Sequence, residues 1–164
     1  TPGQGSVFTL TLPAAPEQDA ATQAVPNLNG ADEPRYRTRH VLYIEDNETN
    51  AIVMQGILAR RPQVRLTVAT TAIAGPSAIP DDPPDLVLLD MHLPDLDGLE
   101  VLRRLRAQDR TVNTAVVVVS ADATTERIEQ AFALGATDYV TKPVDVTAFL
   151  ARVDTYLEGV DTRF

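Results

Sequence analysis

The sequence predicts an α/β fold in which helices wind over both faces of a parallel β-sheet. Two observations predict it. From His40 onward, short, near-continuous apolar runs follow one another, and the stretches between them carry apolar residues at helical spacing. Strands that are apolar throughout are buried on both faces, and alternation with helices is the connection that parallel strands require.

The elements follow in order. Val41-Leu42-Tyr43-Ile44 is the first strand, and Glu48 to Arg60 reads as a helix with Ala51, Met54, Ile57 and Leu58 on its inner side. Leu66–Ala69 supplies the second strand. The segment Thr71–Ile79 holds Gly75 and Pro76 and is followed by Pro80. Pro76 removes an amide donor, so the second helix is expected to be short or distorted. Leu86-Val87-Leu88-Leu89 is the third strand, with a helix near Leu99–Ala107 after it. Ala115–Val119 is the fourth, followed by a helix from about Thr124 to Leu134 that stops at Gly135. Asp138–Thr141 is the fifth. Asp145 can cap a last helix that turns Phe149, Leu150, Val153 and Leu157 inward.

Ahead of this body, residues 7–12 alternate with a period of two, as a strand does, between Gly3-Gln4-Gly5-Ser6 and Pro13. Residues 14–38 carry Pro16, Pro26, Pro34, Asn27, Asn29 and Gly30 with little periodic apolar content, which is linker composition. The expected organisation is an opening segment over 1–13, a linker over 14–38, one domain over 39–160 and a tail over 161–164.

With 164 residues, 44% of them hydrophobic, the chain can bury a core of ordinary size. No apolar run approaches the ~18 residues that span a bilayer, and no basic-plus-apolar leader opens the chain, so no membrane contact by this segment is expected. The lack of cysteine removes disulfides and thiolate metal sites. A net charge of −9 argues against direct nucleic-acid binding, which needs clustered Lys and Arg. The cations are 13 Arg and a single lysine, Lys142.

In a parallel α/β sheet, ligands bind beyond the carboxyl ends of the strands. The first strand ends in Glu45-Asp46, the third in Asp90, the fourth in Ser120 and the fifth in Thr141-Lys142. Three carboxylates, a hydroxyl and the one ammonium therefore converge on a single crevice. Carboxylates that close repel one another unless a cation is present. Mg²⁺ answers that need, because it takes a few carboxylates, keeps waters and accepts phosphate oxygens.

These positions resemble the receiver domain of bacterial two-component signalling, from about His40 to Glu158. The matching stretches are Tyr43-Ile44-Glu45-Asp46-Asn47, Leu88-Leu89-Asp90-Met91-His92-Leu93-Pro94-Asp95-Leu96-Asp97-Gly98, Val118-Val119-Ser120-Ala121 and Gly135-Ala136-Thr137-Asp138-Tyr139-Val140-Thr141-Lys142-Pro143. The resemblance implies a flavodoxin-like (βα)5 fold with strand order 2-1-3-4-5. It implies a phosphorylation switch, with a phosphoryl group taken by Asp90 from a histidine kinase or histidine phosphotransfer domain, and a receiver that catalyses its own phosphoryl transfer and dephosphorylation. Asp46 and Asp90 are expected to ligate Mg²⁺ (or Mn²⁺) directly, with the backbone carbonyl of His92 as a third ligand and Glu45 acting through water. Lys142 is expected to pair with the phosphoryl oxygens, Ser120 to hydrogen-bond them, and Tyr139 to turn inward as Ser120 moves. The side chain of His92 is expected to border the site, and His40 to lie at the surface. The resemblance also implies a cis Lys142-Pro143 bond, which suits a chain that turns sharply after the fifth strand while aiming Lys142 back into the crevice.

The physical chemistry agrees with this carry-over. Phosphoryl transfer needs in-line positioning and neutralisation of the equatorial oxygens, which a metal ion and one compact ammonium supply. The opening Gly3-Gln4-Gly5-Ser6-Val7-Phe8 resembles the end of a histidine-kinase ATP-binding domain. The combined expectation is the cytoplasmic C-terminal receiver of a hybrid histidine kinase, whose parent can be membrane-anchored. A degenerate receiver used only for docking is the competing reading. A haloacid-dehalogenase-type phosphatase would place a second Asp where His92 stands. An EF-hand fails at Leu93 and Arg104, and a dinucleotide fold would need glycines where Glu45-Asp46-Asn47 stand.

Overall fold

The apolar runs form five parallel strands, β1 (Arg39–Ile44), β2 (Val64–Ala69), β3 (Leu86–Leu89), β4 (Ala115–Ser120) and β5 (Asp138–Thr141). The computed structural model describes residues 37–72 and 83–158. The strands lie in the order β2-β1-β3-β4-β5, the flavodoxin-like arrangement. Register is set by pairs such as Tyr43 with Val68 and Leu88, and Val118 with Leu89 and Tyr139.

Four helices are described: α1 (Glu48–Leu58), α2 (Gly98–Arg106), α3 (Thr125–Ala133) and α4 (Val146–Glu158). Three begin on a side chain that satisfies an orphan amide. Asn47 accepts from the Asn50 amide at 3.1 Å, Asp97 from Leu99 at 2.8 Å and Asp145 from Ala148 at 2.8 Å. The chain leaves α3 through Gly135, whose φ of 96° is open to glycine at little cost.

Strand alternation sorts the core into two layers. Leu42, Ile44, Val87, Leu89, Val116 and Val118 meet Val101, Leu102 and Leu105 of α2 and Ala131 of α3. On the other face, Val41, Tyr43, Leu86, Leu88, Val117 and Val119 meet Met54, Ile57 and Leu58 of α1 and Phe149, Leu150, Val153 and Leu157 of α4. Each fully buried aliphatic or aromatic side chain contributes about 1.5–3 kcal/mol against its exposed state. That burial holds the sheet rigid beneath its carboxyl end.

Two expectations change here. His40 is buried rather than at the surface, because β1 starts at Arg39 and carries the residue into the sheet. Its amide donates to Asp85 at 2.7 Å, and its Nε2 lies 2.9 Å from the Thr67 hydroxyl. Ala51 is only half-buried, leaving Met54, Ile57 and Leu58 as the buried face of α1. The second helix, expected over Thr71–Ile79, lies almost wholly outside the described residues. So do the opening segment, all but the last two positions of the linker, and the tail.

Candidate functional site

Four of the five strands each deliver a chemical group to the carboxyl edge of the sheet. Glu45 follows β1, Asp90 follows β3, Ser120 closes β4 and Lys142 follows β5. Backbone bonds extend the ladder just past the strands: the Glu45 amide donates to Ala69 O, the Asp90 amide to Ile44 O and the Lys142 amide to Ser120 O. The side chains thus inherit the spacing of the strands beneath them.

Lys142 bridges the edge. Its Nζ lies 2.5 Å from Asp90 Oδ2 and 2.7 Å from Glu45 Oε2. Asp90 Oδ1 accepts the His92 amide at 3.0 Å. Glu45, 1% exposed, also accepts the Asn47 amide at 3.1 Å on Oε1 and the Tyr43 hydroxyl at 2.6 Å on Oε2. Burial acts to raise the Glu45 carboxyl, but the hydrogen bonds from Lys142, Tyr43 and Asn47 outweigh it and hold the group below its ordinary range. Burial likewise acts to lower the Lys142 ammonium, and the bonds to Asp90 and Glu45 overcome it and raise it. Burial, reinforced by Glu45, keeps the Tyr43 phenol protonated far above its usual range. The acidic repulsion anticipated from sequence is met by the single lysine.

The other expected residues surround this network. Asp46 is exposed beside it. The side chain of His92 stands mostly exposed at the rim, its Nδ1 3.9 Å from Asp90 Oδ1. Ser120 is fully buried, and its hydroxyl accepts the Asp122 amide at 3.1 Å. Tyr139 is half-buried, and its hydroxyl donates to the Asp122 carbonyl at 2.6 Å, tying β5 to the loop after β4. The Lys142-Pro143 bond is cis. Among the described residues, no three His, Asp or Glu side chains gather into a metal-holding group.

Residues 41–154 match the response regulator receiver domain family. The chain belongs to that family. This receiver domain is 37% identical over 125 residues to the transcriptional regulatory protein YkoG of Bacillus subtilis, covering 76% of this chain and 53% of that protein. It is 34% identical over 117 residues to the response regulator PleD of Caulobacter vibrioides, covering 69% of this chain and 25% of that protein. The receiver thus spans about half or less of the length of these relatives. Among solved structures it resembles the receiver domain of the sensor histidine kinase PA1611 from Pseudomonas aeruginosa, which holds a magnesium ion in its active site cleft. The TM-score is 0.66 at 26% identity, over 73% of this chain and 98% of that one. The receiver domain of the Francisella response regulator 1452 gives 0.68 at 27% identity, over 74% and 98%.

Two residues of this receiver site carry more than their place in a matching stretch suggested. Tyr43 is one. Strand periodicity puts residues 43 and 45 on one face, a signal present in the sequence. Gly98 is the other: a Cβ there would lie 2.6 Å from Met91 Cα and 2.8 Å from the Asp90 carbonyl. No local pattern reveals that approach.

Proposed function

We propose that this receiver domain takes a phosphoryl group on Asp90 and works as a two-state switch. In the transfer, the bond from phosphorus to a donor imidazole nitrogen breaks, and a bond from phosphorus to an Asp90 carboxylate oxygen forms. The imidazole leaves with the electron pair and is reprotonated by solvent. The observation that carries the reading is Lys142 Nζ held between Asp90 Oδ2 and Glu45 Oε2 at the carboxyl edge. An ammonium already beside the acceptor is within reach of the incoming oxygens and can neutralise them by a short shift away from Glu45. Ser120 and Tyr139 meet at Asp122 and provide the readout: movement of the Ser120 hydroxyl toward the phosphoryl group changes the loop that Tyr139 holds.

The donor set fits Mg²⁺, with Mn²⁺ as a substitute. It is all oxygen and few in number, with Asp46 and Asp90 as carboxylates and the His92 carbonyl as a third group, and such sites leave room for waters. Glu45 would act through water. When bound, the ion supplies charge neutralisation for the transferring group. Removing the Asp46 carboxylate by Asp46→Ala is expected to abolish most Mg²⁺ binding in calorimetry, and unchanged affinity would exclude Asp46 as a ligand.

The donor is a histidine kinase or a histidine phosphotransfer domain, and residues 1–13 are the end of a kinase ATP-binding domain that the linker 14–38 joins to the receiver in a hybrid histidine kinase. Similarity to the receiver of a sensor histidine kinase and the Gly3–Phe8 pattern support this arrangement. A reading frame lacking an upstream kinase core would overturn it. With a net charge of −9, the segment itself leaves nucleic acid alone, which a mobility-shift assay checks.

The deciding experiment is incubation with acetyl phosphate and Mg²⁺, read by intact mass. A gain of one phosphoryl group is expected in the native chain and none in Asp90→Asn. Undiminished labelling of that variant would overturn the assignment, and no labelling of either would favour the docking-only reading.

A further inference from the structure

We infer that Tyr43 is a positioning residue of this site: its buried hydroxyl holds Glu45 so that Lys142 can leave Glu45 for a phosphoryl group on Asp90. The inference rests on the proposed phosphorylation of Asp90 and goes beyond it.

The geometry begins in β1. Tyr43 and Glu45 are two residues apart on an extended strand, so both side chains rise from the same face. The ring of Tyr43 is 1% exposed and packs in the layer that includes Met54, Ile57, Val119 and Phe149. That packing leaves the hydroxyl little freedom, and it points at Glu45 Oε2 from 2.6 Å. Lys142 Nζ shares that same oxygen at 2.7 Å.

A phosphoryl group on Asp90 adds negative charge within reach of the only lysine. For the ammonium to turn to it, Glu45 must surrender part of its cation while staying buried. A buried carboxylate losing its charge partner needs other donors. Glu45 keeps two that move little, the Asn47 amide and the Tyr43 hydroxyl. Phenylalanine would fill the same space in the layer but donate nothing. Glu45 would then hold Lys142 more tightly, and drawing the ammonium from Glu45 onto the phosphoryl oxygens would be costlier. A purely structural Tyr43 would affect stability and leave the phosphorylation of the folded protein unchanged.

Because Lys142 is the single lysine of the chain, lysine labelled with ¹³C and ¹⁵N gives one set of side-chain signals that belongs to it alone. In the full chain with saturating Mg²⁺ and acetyl phosphate as donor, Tyr43→Phe is expected to slow Asp90 labelling roughly five- to tenfold. That is part of the roughly ten- to hundredfold that a whole hydrogen bond to a charged group is worth, because the Asn47 amide remains on Glu45. The Lys142 signals should move on addition of the donor in the native chain and move less in Tyr43→Phe. In a Glu45→Gln background, where there is no charge to hold Lys142, Tyr43→Phe should cause no further slowing. Equal labelling rates and equal Lys142 shifts in the native and Tyr43→Phe chains, both folded, would overturn the role of Tyr43. Slowing that persists undiminished beside Glu45→Gln would show that Tyr43 does not act through Glu45. Failure of the native chain to be labelled, or labelling of Asp90→Asn, would instead count against the parent reading.

Discussion

At the scale of single residues, the acceptor loop is shaped by close approach. Gly98, at the first turn of α2, leaves room for the backbone of Asp90 and Met91, and its own amide donates to Met91 O at 3.2 Å. A methyl group there meets main chain, which cannot swing aside as a flexible side chain can. Gly98→Ala is therefore expected to cost about 1–3 kcal/mol in urea unfolding and to slow labelling of Asp90, because relief of the clash displaces the acceptor's own backbone. A variant as stable and as quickly labelled as the native chain would show that the loop yields freely. Asp97 adds a second constraint, capping α2 through Oδ1 and accepting Arg127 of α3 through Oδ2 at 2.7 Å.

At the scale of elements, the α1 and α4 side of the sheet is joined by more than apolar contact. Arg61, in the turn between α1 and β2, grips Asp154 of α4 through two bonds of 2.7 and 2.6 Å across 93 positions of sequence. The Arg61 hydrogen bonds, opposed by slight burial, hold the Asp154 carboxyl below its ordinary 3.8. A folded-state value below the unfolded one means the pair stabilises above about pH 4 and loses that contribution as pH falls through the folded value. Asp154→Asn is thus expected to cost roughly 0.5–1 kcal/mol near neutrality, since both groups are partly exposed. The difference between variant and native chain should shrink below about pH 4 in denaturant titrations. A difference that persists at pH 2–3 would place the effect in packing rather than charge.

At the scale of the whole molecule, one sheet separates two apolar layers, and the site sits on the edge they share. Phe149 is 2% exposed in the layer that also encloses Tyr43. Phe149→Ala should cost roughly 3–5 kcal/mol in urea unfolding, through lost transfer energy and the cavity left behind. A cost under about 1 kcal/mol would mean that α4 collapses to refill the space. Because Tyr43 belongs to the same layer, such a cavity should also loosen the hold on Glu45.

The sequence by itself determined the kind, order and approximate ends of the described elements. Period-two and period-3.6 patterns are local, and the caps Asn47, Asp97 and Asp145 act within three residues of themselves. It also placed Glu45, Asp90, Ser120 and Lys142 at strand ends, which in a parallel sheet means along one edge. The tertiary structure alone decided what those groups touch. His40 is buried because β1 begins earlier than its apolar run and lies between β2 and β3. Lys142 meets Glu45 across 97 positions and Asp90 across 52 because β1, β3, β4 and β5 stand side by side. The strand order that the receiver motifs implied has its physical cause in how two apolar faces are covered at once, a condition on the whole chain rather than on any one element.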